Sequence, residues 1–141
     1  MKTKLSITIF AAIFFFFVLG VVRTGSQVIG LNENSVKFET SLIATLVGQD
    51  GLIMRTTDGG NAWDSLNSGI TNTLKSNDFI SYENGQESIV NLSIAVGENG
   101  VILKSVDNGL TWALKTSGTT EHINAVTIVS KDAFYACGDN G

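Results

Sequence analysis

The chain has no proline, a single cysteine, a single histidine and only two arginines among its 141 residues. With Cys137 alone, no internal disulfide can form, so a disulfide-stapled scaffold is excluded. With His122 alone, no Cys/His ligand set for zinc is available, and its place just before an apolar stretch reads as a surface loop. Basic charge is also scarce. The whole chain carries a net charge of −4, and without Lys2, Lys4 and Arg23 of the N-terminal segment six basic side chains face thirteen acidic ones, a net −7. Such a balance opposes nucleic acid as a partner. The missing proline, set beside 15 glycines, suits a β-rich array whose turns are built from Gly, Asn and Asp.

The N-terminus opens with two lysines, Lys2 and Lys4, and continues with eighteen uncharged, mostly apolar residues, 5–22. That order reads as a secretory signal peptide over residues 1–26, with Thr24 and Ser26 as the small residues available for cleavage. Eighteen residues also lie at the lower edge of a membrane span, so an uncleaved anchor is the alternative. Both readings place the rest of the chain outside the cytoplasm. Residues 27–35 read as a polar linker.

Beyond the linker the chain is repetitive. Residues 47–69 and 96–118 agree at 9 of 23 positions at an offset of 49, and residues 136–141 begin a third copy of 95–100 at an offset of 41. Self-similarity at this period indicates an array of equivalent units. Each copy runs apolar strand, Gly-x-x-Gly turn, apolar strand, Asp-containing turn, then a strand bearing tryptophan, which is a chain of tight hairpins. Unit 1 spans 36–69, unit 2 spans 70–118, and unit 3 is partial, 119–141. Strands are expected near Val36 and at 42–47, 52–56 and 62–66 in the first unit, and at 78–82, 89–96, 101–105 and 111–115 in the second. The third unit supplies 123–129 and 133–137. The eight extra residues of the longer interval are expected in the loop 82–88.

The second turn carries the chemistry. Asp58 and Asp107 can accept hydrogen bonds from backbone N–H groups a residue or two ahead, and the Thr56 and Ser105 hydroxyls offer a second local bond. Gly60 and Gly109 can take the positive φ that closes a short turn. Trp63 and Trp112 supply buried area that pins each hairpin to its neighbours.

The stretch Ser105-Val106-Asp107-Asn108-Gly109-Leu110-Thr111-Trp112 resembles the Asp-box, or bacterial neuraminidase repeat, of pattern S/T-x-D-x-G-x-T-W. The earlier copy, Thr56 to Trp63, departs once, with Ala62 where the pattern has threonine, which removes one side-chain hydrogen bond. The longer run from Ala95 to Trp112 is similar to the repeats of the photosystem II stability and assembly factor family. The resemblance covers about residues 36–141 and implies an all-β chain of propeller blades, each of four antiparallel strands, here about two and a half. Closed propellers use four to eight blades, so the remaining blades are expected from a longer parent chain or from an oligomer. In families that carry them, Asp-boxes sit on hairpins away from active sites.

Thr56, Asp58, Gly60, Trp63, Ser105, Asp107, Gly109, Thr111 and Trp112 are therefore expected to be architecture. Asp58 and Asp107, in successive blades, lie too far apart for paired-acid hydrolysis. The arginine cluster that a sialidase needs cannot be assembled from Arg23 and Arg55. The same shortage departs from the arginine-rich face of the assembly factors. Cys137 aligns with Val96 and Val47 and is expected as a buried core thiol. The Gly-x-x-Gly turns at 48–51 and 97–100 are too short and acidic to cradle phosphate, and the spaced carboxylates of a calcium loop are absent. The resulting expectation is an exported, non-catalytic propeller segment that binds a protein partner, with no cofactor and membrane contact only through the N-terminal segment. The alternative is a fragment of a glycan-acting hydrolase whose catalytic blades lie elsewhere.

Overall fold

The computed structural model describes residues 21–24, 27–30, 32–83 and 89–140, and the first twenty residues of the apolar leader lie outside them. No helix among the described residues is long and apolar enough to cross a membrane. Among the described residues twelve strands fall into four antiparallel sheets, within each of which strands consecutive in the chain are paired. β1 (Val21–Thr24) and β2 (Gln27–Gly30) form a two-stranded hairpin. β3 (Glu33–Phe38), β4 (Ala44–Gly48), β5 (Ile53–Thr56) and β6 (Asp64–Leu66) form one four-stranded sheet, and β7 (Leu74–Glu83), β8 (Ile89–Gly97), β9 (Ile102–Ser105) and β10 (Ala113–Lys115) a second. β11 (Ile123–Ser130) and β12 (Ala133–Gly138) begin a third.

The sheets stack face to face because alternate residues on each strand are apolar. Val47 and Ile53 of the first sheet meet Leu74, Ala95, Val101 and Leu103 of the second in one buried cluster, edged by Leu66, Ile70 and Trp112. Ile94, Val96 and Ile102 on the far face of the second sheet meet Ile123, Val126 and Ile128 of the third. Four-stranded antiparallel sheets stacked in chain order make this part of a β-propeller, with two full blades and half of another.

Polar side chains stitch the first strands of the blades together. Lys37, Asp78 and Thr127 occupy the same register position in β3, β7 and β11. The Asp78 carboxylate bridges its two neighbours, pairing with Lys37 Nζ at 2.9 Å and accepting from the Ile128 N–H at 2.8 Å and the Thr127 hydroxyl at 3.3 Å. Asn77 Nδ2 donates to the Thr45 carbonyl and Asn77 Oδ1 accepts from the Ser35 hydroxyl. A β-bulge recurs at one place in all three first strands, between Glu33 and Ser35, Leu74 and Ser76, and Ile123 and Ala125.

Several expectations need correction. The stretch 27–35 is not free of structure: Gln27–Gly30 pairs with β1, and β3 already starts at Glu33. The second sheet begins at Leu74, ahead of the expected 78. The first two strands of the second unit are longer than those of the first, while residues 84–88 of the expected insertion lie outside the described residues. β7–β8 continues through the pairs Ile80↔Leu92, Ser81↔Asn91, Tyr82↔Val90 and Glu83↔Ile89, which have no counterpart beyond Phe38↔Ala44 in the first sheet. Trp63 and Trp112 sit one residue before their strands. Cys137 is exposed, not buried. Val47 and Val96 are buried because each lies between two sheets, whereas no described sheet covers the face of β12 that carries Cys137.

Candidate functional site

Antiparallel strands alternate direction, so every blade has two distinct ends. The β5–β6 and β9–β10 turns, which hold the two aspartates, lie at one end. The β4–β5 and β8–β9 turns and the connections leading to β7 and β11 lie at the other.

At the aspartate end each turn is closed on itself. In the first, the buried Thr56 hydroxyl donates to Asp58 Oδ1 at 2.8 Å and accepts from the Gly60 N–H at 3.0 Å. Asp58 Oδ1 also accepts from the Ala62 N–H at 2.9 Å. In the second, the buried Ser105 hydroxyl donates to Asp107 Oδ1 at 2.7 Å and accepts from the Gly109 N–H at 3.0 Å. Asp107 Oδ1 accepts from the Leu110 and Thr111 N–H groups at 3.1 and 2.9 Å, and Oδ2 accepts from the Thr111 hydroxyl. These carboxylates thus reach three and four residues ahead, further than the one or two expected, because the residues between wrap around the central hydroxyl. Ala62 has no hydroxyl with which to make the bond that Thr111 gives Asp107.

Backbone shape follows from the same wrapping. Gly60 and Gly109 have φ of 90° and 77°, a region closed to most side chains. Gly109 is also buried against the preceding blade, where an added Cβ would sit 3.5 Å from Thr45 Oγ1. The Trp112 indole closes the second turn by donating from Nε1 to the Gly109 carbonyl at 3.0 Å while its ring joins the cluster between the blades. Trp63 is buried on the matching face of the first blade, its ring against Gly60.

Both carboxyls are held below the usual aspartate range. For Asp58 the Ala62 N–H is the main cause, followed by the Thr56 hydroxyl. For Asp107 burial pushes upward, but the Thr111 hydroxyl and N–H and the Ser105 hydroxyl outweigh it. A carboxylate stabilised in this way is a poor proton donor near neutral pH. Asp58 and Asp107 each bond within their own turn. Among the described residues, no three His, Cys, Asp or Glu side chains are placed to hold a metal ion. His122 lies just before β11, its Nδ1 accepting from the Asn99 N–H at 3.1 Å and its carbonyl from the Asp139 N–H.

The opposite end is open. Two clefts of about 620 and 730 Å³ occur there at positions related by the repeat. The first is lined by Asp50, Gly51, Ser65, Leu66, Asn67 and Ser68. The second is lined by Asn99, Gly100, Leu114, Lys115, Ser117 and Thr119. The connection beside each cleft is braced by a serine, Ser68 donating to the Ile70 carbonyl and Ser117 to the Thr119 carbonyl.

Two features escaped the sequence reading. The side-by-side polar pair Asn77-Asp78 in an otherwise alternating strand was the available signal for the stitching between blades. The other is Gly48, Gly97 and Gly138, which end the second strand of each unit. A Cβ there would lie 2.3, 2.0 and 1.9 Å from the carbonyl oxygens of Asn32, Thr73 and His122. Their recurrence at one place in three units was the corresponding signal.

No protein-family model and no curated protein matches the sequence. Among solved structures, one described as "YCF48 bound to D1 peptide" superposes with a TM-score of 0.61 at 18% identity, over 79% of this chain and 35% of that one. The chain therefore spans about a third of the length of that structure, and the two share the β-propeller fold.

Proposed function

We propose that this chain is a segment of an exported, non-catalytic Asp-box propeller that binds a protein partner through an extended peptide. The observation that carries this reading is the contrast between the two ends of the blades. At one end the aspartates are consumed in holding their own turns. At the other, open clefts repeat from blade to blade, each within the size range of ligand pockets. Loops held by rigid sheets are where propellers present variable binding residues. The likeness in fold to a propeller captured with a peptide supports the choice of partner class. The resemblance of residues 95–112 to assembly-factor repeats supports a partner belonging to a membrane complex.

The test is to pan a peptide library against the immobilised full-length chain and to map bound peptides by hydrogen exchange. Protection at 49–51, 66–72, 98–101 and 115–120 is the expected result. Protection confined to the aspartate turns, or turnover of glycan substrates by the chain, would overturn the reading.

A further inference from the structure

The two clefts are built alike and charged differently. At an offset of 49, residues that line the first fall on residues that line the second: Gly51 on Gly100, Ser68 on Ser117, Ile70 on Thr119. Two of these equivalent positions change charge. Asp50 in the β4–β5 turn becomes Asn99 in the β8–β9 turn, and Leu66 at the end of β6 becomes Lys115 at the end of β10. Asp50 is thus the one charged residue of the first lining, and Lys115 the one charged residue of the second.

Both charges are exposed and uncommitted. The ion pairs among the described residues, Lys37 with Asp78 and Lys131 with Asp132, use neither side chain. Asp50 differs in this from Asp58 and Asp107, whose carboxylates are occupied by N–H and hydroxyl groups of their own turns. The acidic neighbours of the second lining are tied elsewhere. Glu98 accepts from the Thr73 N–H at 3.4 Å, and Glu121 from Asn140 Nδ2 at 2.9 Å.

Asp50 is also held on a rigid tip. It adopts a left-handed conformation, φ 54° and ψ 33°, and Asn99 adopts nearly the same, φ 55° and ψ 36°. Asp and Asn tolerate that region better than other side chains do. The glycine that follows each is pressed against the connection to the next blade. An added Cβ would lie 2.2 Å from the Ile70 carbonyl oxygen at Gly51, and 2.0 Å from the Thr119 carbonyl oxygen at Gly100. A charge on so fixed a tip is preorganised for a partner.

We infer that the two clefts together read opposite charges along one extended peptide, Asp50 receiving a lysine or arginine and Lys115 an aspartate or glutamate. This deepens the peptide-binding reading above and rests on it. Stacked sheets lie about 10 Å apart, neighbouring strands about 4.8 Å, and an extended chain advances about 3.3 Å per residue. Lys115 sits one strand outside the β8–β9 turn, so the two charged residues of the peptide stand about three to five positions apart. Because the charges are opposite, they set which part of the peptide lies over which blade, a choice that two identical clefts would leave open.

The test is to pan one peptide library against three immobilised full-length chains: the parent, Asp50→Asn and Lys115→Gln. Asp50→Asn copies the residue that the second unit carries at that place, and Lys115→Gln neutralises an exposed side chain, so neither disturbs the fold. Peptides selected by the parent and mapped to both clefts by hydrogen exchange are expected to pair a basic with an acidic residue at that spacing. Asp50→Asn should select peptides that keep the acidic residue and lose the basic one, and Lys115→Gln the reverse. Neutralising either charge of a selected peptide should weaken its binding to the parent about two- to fivefold, the range of exposed ion pairs. Neutralising the basic one should leave binding to Asp50→Asn unchanged. Peptides that protect one cleft only, or both without paired charges, or selections that the substitutions do not alter, would overturn this inference and leave the peptide reading standing. Peptides that protect neither cleft would overturn both.

Discussion

Ser105→Ala isolates the bond at the centre of the aspartate turn. The hydroxyl is fully buried, donates to Asp107 and accepts from the buried Gly109 N–H. Alanine fills nearly the same space, so almost the whole effect is the loss of a partner for a buried donor, a cost of about 1–3 kcal/mol. At this size of array, a cost near the middle of that range lowers the melting midpoint by about 8 °C. Ser105→Thr provides the control, because Thr56 occupies the same place in the first turn with the same bonds. It should cost clearly less than the alanine, because the hydroxyl and both its bonds are kept and the equally buried Thr56 shows that the turn can hold the extra methyl group. Urea melts followed by circular dichroism and by tryptophan emission measure both. A neutral Ser105→Ala, or a Ser105→Thr as costly as the alanine, would refute the reasoning.

Ala62→Thr should give the first turn the side-chain bond that Thr111 gives Asp107, raising the melting midpoint at pH 7. Because the folded-state pKa of Asp58 is depressed, its stabilisation is present above the unfolded value, about 4, and is lost as pH falls through the lower folded value. The gain should therefore vanish in strong acid, and a gain that persists there would contradict the assignment. Gly97→Ala forces a Cβ against the Thr73 carbonyl and should cost about 1–3 kcal/mol in denaturant melts; a neutral result would mean that the strands are not so close. Trp112→Ala removes the ring from between two blades and should cost about 3 kcal/mol, the low end for a large aromatic because the ring is only half-buried. Cys137 should react with a thiol reagent in the native protein at the rate of an exposed thiol, whereas slow labelling would restore the buried-core expectation.

Strand order and the repeat were legible because the apolar alternation and the recurring Gly, Asp and Trp positions are local signals. Near β3 and β7 the boundaries were misjudged because Asn34, Ser35, Ser76, Asn77 and Asp78 are polar residues used between blades, where hydrogen bonding replaces apolar contact. The reach of Asp58 and Asp107 was underestimated because the wrapping of Asp107 to Leu110 about Ser105 is a property of the whole turn. The exposure of Cys137 depends on what lies against β12, which its alignment with Val96 cannot report.

Asp58 and Asp107 are, on this account, ionised acceptors locked into their turns, and side-chain carboxyl NMR titration of the native protein tests this most directly. Two midpoints below the ordinary aspartate range, both unmoved by added glycans, are the predicted result. A midpoint at or above that range for either residue would show a carboxyl free to exchange protons and would contradict the account.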